Sequence, residues 1–201
     1  MSVLQSKKFR IGVGVAAVVL AVAAIGAGTY AAFVDTEEGP GGDITAGTLD
    51  LTVGETGTAE LFAAQNIQPG FQESASISLR NGGSLPGTLT STIQVTGAEV
   101  TCTEPEAEAE GVAPGACAPG GNLQEQMTVS VISGPGVGSP TAPVTVTQFA
   151  ATGLPAAGTV DPGETVDYEL RFALPDLPGV ENNRVQGDRI TVSSNFVLTQ
   201  L

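Results

Sequence analysis

The chain has no histidine and no tryptophan, and only seven of its 201 residues are Lys or Arg. Without imidazole there is no general base for a Ser or Cys triad and no nitrogen ligand for zinc, so an enzyme built on this chain would work with carboxylates alone. Three of the cations, Lys7, Lys8 and Arg10, precede an apolar run that opens at Ile11, and every acidic residue follows it. Beyond residue 31 there is no Lys, which excludes Lys-based isopeptide crosslinks and Schiff-base chemistry. Removal of the first 31 residues would leave Arg80, Arg171, Arg184 and Arg189 against 21 acids, four cations against 21 anions and a formal charge of −17. Such a surface repels nucleic acid and anionic membranes, because both need clustered cations. It suits a well-hydrated secreted protein, and equally a high-salt habitat.

Aromatic residues are as scarce. After residue 31 the one tyrosine is Tyr168, on the apolar face of an alternating segment, so the ring platform that sugar-cleaving carboxylate pairs use is missing. There is no Gly-rich phosphate loop and no H-E-x-x-H zinc motif. No cofactor and no metal are expected from motif spacing. Cysteine is limited to Cys102 and Cys117. In an exported chain an even pair reads as a disulfide, closing a loop of about 15 residues worth about 3 kcal/mol; two free thiols are the alternative.

What the N-terminus does contain is the tripartite pattern of an export signal over residues 1–31. Lys7, Lys8 and Arg10 form its charged start, Ile11 to Ile25 its apolar core, and Gly26 to Thr29 its small-residue end. Cleavage between Ala31 and Ala32 places Thr29 and Ala31 at the −3 and −1 positions. The competing reading is a retained membrane anchor, since the uncharged run from Ile11 to Phe33 could span a bilayer. Either way the basic start stays inside and the domain lies outside. After the signal, residues 32–43 read as an arm and hinge, with Ala32, Phe33, Val34, Asp35 and Thr36 in a short stretch able to extend and Gly39-Pro-Gly-Gly42 as a flexible break; on composition alone a disordered N-terminal tail is the stronger reading.

Residues 44–201 carry strand patterns separated by turn signals. Leu49, Leu51 and Val53 share one face, as do Leu89, Ile93 and Val95. The strongest alternation sets Val166, Tyr168, Leu170, Phe172 and Leu174 against Asp167, Glu169 and Arg171, and Ile190, Val192, Phe196 and Leu198 repeat it. Glu60 to Phe62 reads as a short strand, and Gly54 to Gly57 as a turn. No helix of convincing length is expected after residue 31. Glu104-Pro-Glu-Ala-Glu-Ala-Glu110 sets four carboxylates at every second position, but a calcium loop would add Asp, Asn and a Gly-driven turn, so this segment reads as a solvated loop. The expected fold is all-β, a jelly-roll-like antiparallel β-sandwich preceded by the signal peptide and the short arm.

Two stretches also resemble a family. Gly28-Thr-Tyr-Ala-Ala-Phe-Val-Asp-Thr-Glu37, followed by Ala46-Gly-Thr-Leu-Asp-Leu51, is similar to the processing junction and first strand of the TasA/camelysin family of exported biofilm-fibre proteins. Gln68-Pro-Gly70, Leu79-Arg-Asn-Gly-Gly-Ser-Leu85 and Asn182-Asn-Arg-Val-Gln-Gly187 resemble further family motifs, with Phe71 and Val185 departing from the usual acid and aromatic. The resemblance implies a jelly-roll subunit released by a SipW-type signal peptidase. It also implies a head-to-tail homopolymer in which Ala32, Phe33, Val34, Asp35 and Thr36 of one copy complete a sheet of the next. Two alternatives stand beside this: a camelysin-like metallopeptidase, for which no chemistry is visible, and a monomeric adhesin or accessory protein acting on another subunit's fibre. No nucleic-acid partner is expected, and a membrane only before the signal is cut.

Overall fold

The computed structural model describes residues 44–52 and 56–201. Two-residue alternation of apolar and polar side chains shapes most of it, because such a segment buries one face only when extended. Nine strands form among the described residues: β1 (Ile44–Leu51), β2 (Thr56–Gln65), β3 (Gln72–Asn81), β4 (Gly87–Glu99), β5 (Thr128–Ser133), β6 (Val144–Thr145), β7 (Thr159–Val160), β8 (Thr165–Ala173) and β9 (Asp188–Gln200). They build two sheets, one in the order β1-β3-β8-β5-β6 and the other in the order β2-β9-β4-β7. This is the jelly-roll-like β-sandwich that the sequence implies.

The inner faces supply the core. From β8 come Val166, Tyr168, Leu170 and Phe172, and from β9 Ile190, Val192, Phe196 and Leu198, all buried. Phe62 of β2 stacks on Phe172 of β8 with ring centroids 4.3 Å apart, which ties one sheet to the other. Tyr168 reaches Pro155 with its hydroxyl, donating to the carbonyl oxygen at 2.7 Å, and burial pushes its phenol up to about 12. All pairings are antiparallel except one: β1 lies parallel to β3, from Ile44 opposite Ala75 to Leu51 opposite Asn81. The chain leaves β1 for β2 in the other sheet and returns as β3, so β1 and β3 become neighbours running the same way.

Three expectations are corrected. β2 already begins at Thr56, inside the stretch expected as the Gly54-to-Gly57 turn, whose first two residues lie outside the described residues, and it runs ten residues, absorbing the expected short strand at Glu60 to Phe62. Helices do occur: α1 (Glu104–Glu110), α2 (Leu123–Gln126) and α3 (Val146–Thr152), with a 3₁₀ turn at Glu181–Val185. Each spans two turns or fewer, too short to show a periodic apolar face. The acidic segment is therefore not a solvated loop but α1. Thr103 caps it: its hydroxyl accepts from the Glu106 amide at 3.3 Å, and its own amide donates to Glu106 Oε2 at 3.4 Å. Glu106 and Ala107 are the buried residues of this helix.

Candidate functional site

Two features stand out against this frame. The first is an asymmetry of sheet edges. β6 and β7, two residues each, close one end of the two sheets, whereas β1 and β2, eight and ten residues long, form the other end. Among the described residues β1 bonds only β3, and β2 bonds only β9. Short edge strands are a usual protection against edge-to-edge pairing, and β1 and β2 lack it.

The second feature is a cluster of carboxylates between β4, β9 and α1. Glu99, the last residue of β4, stands directly opposite Asp188, the first of β9. Each has the strand parity of the inward face, Glu99 with Ile93 and Val95 and Asp188 with Ile190, so two like charges face each other across the ladder. Glu106 of α1 joins Glu99: one oxygen of each carboxylate and the sulfur of Cys117 lie within 4.8 Å of one another. Glu106 is fully buried and Asp188 is 1 % exposed. Glu106 and Glu99 share a side-chain hydrogen bond, and Asp188 Oδ1 is a buried oxygen without a hydrogen-bond partner.

The other oxygens are held. Asp188 Oδ2 accepts from the Asn122 amide at 2.6 Å and the Leu123 amide at 3.0 Å, at the start of α2. The Asn122 side chain donates to Glu110 Oε1, and Glu110 Oε2 accepts from the Ala118 amide at 3.2 Å. No cation balances the group: the ion pairs of the described residues are Arg80–Asp50 and Arg184–Glu181. Burial, reinforced by the charges of Glu99 and Asp188, pushes the Glu106 carboxyl up to about 7. Burial raises Asp188 to about 6, with the Asn122 and Leu123 amides pulling the other way and the Glu99 and Glu110 charges adding to the rise.

Cys102 and Cys117 form the disulfide beside this cluster, with Cα atoms 5.5 Å apart. It fastens the segment carrying α1 to the chain that leads into α2. Ala31, Ala32, Phe33, Val34, Asp35 and Thr36 lie outside the described residues. The family-like motifs have structural roles. Asn81 is buried, and its side chain donates to the Leu85 and Val160 carbonyls and accepts from the Gly83 amide. Asn182 holds Asp176 and Leu177 in the same manner. Glu99, Glu106 and Asp188 are the residues that reading by motif misses. A signal for two of them exists: Thr103-x-x-Glu106 has capping-box spacing, and Asp188 sits two residues before Ile190 on its strand, in phase with the apolar face.

A disulfide-pinned β-sandwich with two long edge strands and a buried acidic cluster defines the class among the described residues. Within that class, residues 6–112, just over half of the chain, match the camelysin metallo-endopeptidase family, and the chain belongs to that family. No curated protein matches it. The family's description implies a peptidase metal. The described residues do not fit one: the chain has no His, both cysteines are oxidised, and the acids that converge are buried under α1 with no face open to a peptide carbonyl. Asp188 also falls outside the matched segment.

Proposed function

We propose that this protein is a secreted structural subunit of an extracellular matrix fibre, not an enzyme, and that it polymerises head to tail through its N-terminal arm. The observation that carries this reading is the pair of long edge strands, β1 and β2, at one end of the two sheets. β1 begins at Ile44, directly after the arm and its Gly39-Pro-Gly-Gly42 hinge. An arm with Ala32, Phe33 and Val34 offers apolar anchors, and its backbone can add a ladder to an unpaired edge of the next copy. A contact of this kind joins two different surfaces and does not close, so it extends into a filament. Release by a SipW-type signal peptidase after Ala31 would free the arm.

The test compares residues 32–201 with residues 44–201 by negative-stain microscopy. Filaments from the longer form alone are expected. Filaments from both forms would remove the arm from the mechanism, and filaments from neither would favour an accessory protein that binds another subunit's fibre. The family's description favours a peptidase as the second reading. Chelator-sensitive casein cleavage by the pure protein, lost on replacing a single acid, would establish it in place of the fibre.

A further inference from the structure

The two sheets differ in what they turn outward. Along β4 every second residue from Thr88 to Thr96 points away from the core, and these are Thr, Thr, Thr, Gln and Thr. Along β9 the alternate residues from Ile190 to Leu198 are buried, which leaves the positions between them, from Thr191 to Thr199, on the outside. The ladders bring β2 into line with both: Thr58, Asn195 and Thr92 lie in one row, and Glu60, Ser193 and Gln94 in the next. Three long strands thus present one surface of hydroxyls, amides and methyl groups. Thr58, Glu60, Thr92 and Gln94 are exposed among the described residues.

Charge sets this surface apart. The chain has 21 acids and a formal net charge of −14, yet among the described residues Glu60 is the acid that projects from this face, and Arg189 balances it. The outward face of the other sheet carries Asp50, Arg80, Asp167, Glu169 and Arg171. Depletion of charge is a mark of the central part of protein interfaces. The size is also sufficient. Three strands about 4.8 Å apart and about 12 residues long at about 3.4 Å per residue cover about 600 Å². Two such faces together bury about 1,200 Å², the lower limit of specific, stable interfaces.

We propose that the outward face of β2, β9 and β4 pairs with the same face of a second copy of this chain. Two strongly acidic molecules repel wherever their acids meet, and this face lets them approach without opposing an excess of negative charge. Its short side chains suit sheet-on-sheet packing at about 10 Å. A neutral polysaccharide is the competing occupant, but no aromatic ring projects from the face to stack on a sugar: Phe62 and Phe196 of these strands are buried inward. The contact joins identical surfaces and closes at two copies. It therefore ties neighbouring molecules side by side and does not lengthen a chain of them. The inference uses no residue of the arm and does not rest on the fibre reading.

The experiment is analytical ultracentrifugation of the full chain at 50 mM and 1 M NaCl. A dimer is expected, with a dissociation constant of roughly 10⁻⁴ M at 1 M NaCl, as suits an interface at the small end of the range. It should be at least tenfold weaker at 50 mM, where the acids outside the face repel unscreened. Ser193→Glu, in the middle strand, should abolish the dimer, and so should Ser193→Lys. A one-to-one mixture of the two variants should restore it, which misfolded proteins could not do. Ser76→Glu, exposed on the other sheet, should leave the dimer unchanged. A monomer up to 1 mM at both salt concentrations overturns the proposal, as does association that survives Ser193→Glu. So does a monomer retained on an uncharged glucan column and released by Ser193→Glu, which would assign the face to a polysaccharide. Residues 32–201 separate this result from the fibre reading: single, unbundled filaments beside a monomeric full chain sink the pairing alone, and a paired full chain without filaments sinks the fibre alone.

Discussion

At the scale of single residues, Glu106 and Asp188 determine how the protein's stability responds to pH. Their carboxyls titrate near 7 and 6 in the folded chain, well above the usual carboxylate range near 4 that they recover on unfolding. Between those values the folded state holds protons that the unfolded state has released, so stability falls as pH rises through this window and levels off above it. We expect a melting temperature at pH 8 below that at pH 5 by roughly 5 °C. Differential scanning calorimetry at the two pH values checks this, and a flat or rising profile contradicts it. Acids that stabilise a fold by ion pairing would give the opposite slope. The sequence shows why these residues are hard to find. Glu104, Glu106, Glu108 and Glu110 are chemically alike and evenly spaced, and only the capping geometry decides that Glu106 alone turns fully inward.

At the scale of elements, α1 is a helix that local chemistry makes possible. It lacks an apolar stripe, and its start rests on the reciprocal bonds of Thr103 and Glu106 with Pro105 in the first turn. Thr103→Ala removes one half of that box and should cost about 1 kcal/mol of stability, with Thr103→Ser restoring most of it. Urea unfolding midpoints of the three proteins measure the effect. The long strands are legible in the sequence because alternation over nine or more residues, as in β8 and β9, admits no competing period. The short helices are not, because four to seven residues complete too few turns to reveal one. The parallel pairing of β1 with β3 is equally hidden: alternation reports which face is buried but not which neighbour a strand takes. Nor does spacing along the chain bring Glu99 to Asp188, which are 89 positions apart and meet only through the β4–β9 register.

At the scale of the whole molecule, the dominant quantity is charge. A chain with a formal net charge of −14 and a sequence pI near 4.1 repels itself when compact. Raising NaCl from 10 mM to 1 M shortens the screening length from about 30 Å to about 3 Å and should relieve that repulsion. Thermal melts should therefore move to higher temperature as salt increases; an unchanged or lower melting temperature would show that self-repulsion is not significant. The position of β9 has a different kind of consequence. It follows every other described strand in the sequence, yet it lies inside its sheet, bonded to β2 on one side and β4 on the other along nearly its whole length. β2 and β4 share no ladder and meet only through it. Synthesis therefore runs ahead of folding: until residues 188–200 emerge, this sheet has no centre, and its assembly awaits contacts of long sequence separation. A chain interrupted anywhere between Glu99 and Asp188 would hold β2 and β4 with no strand to join them.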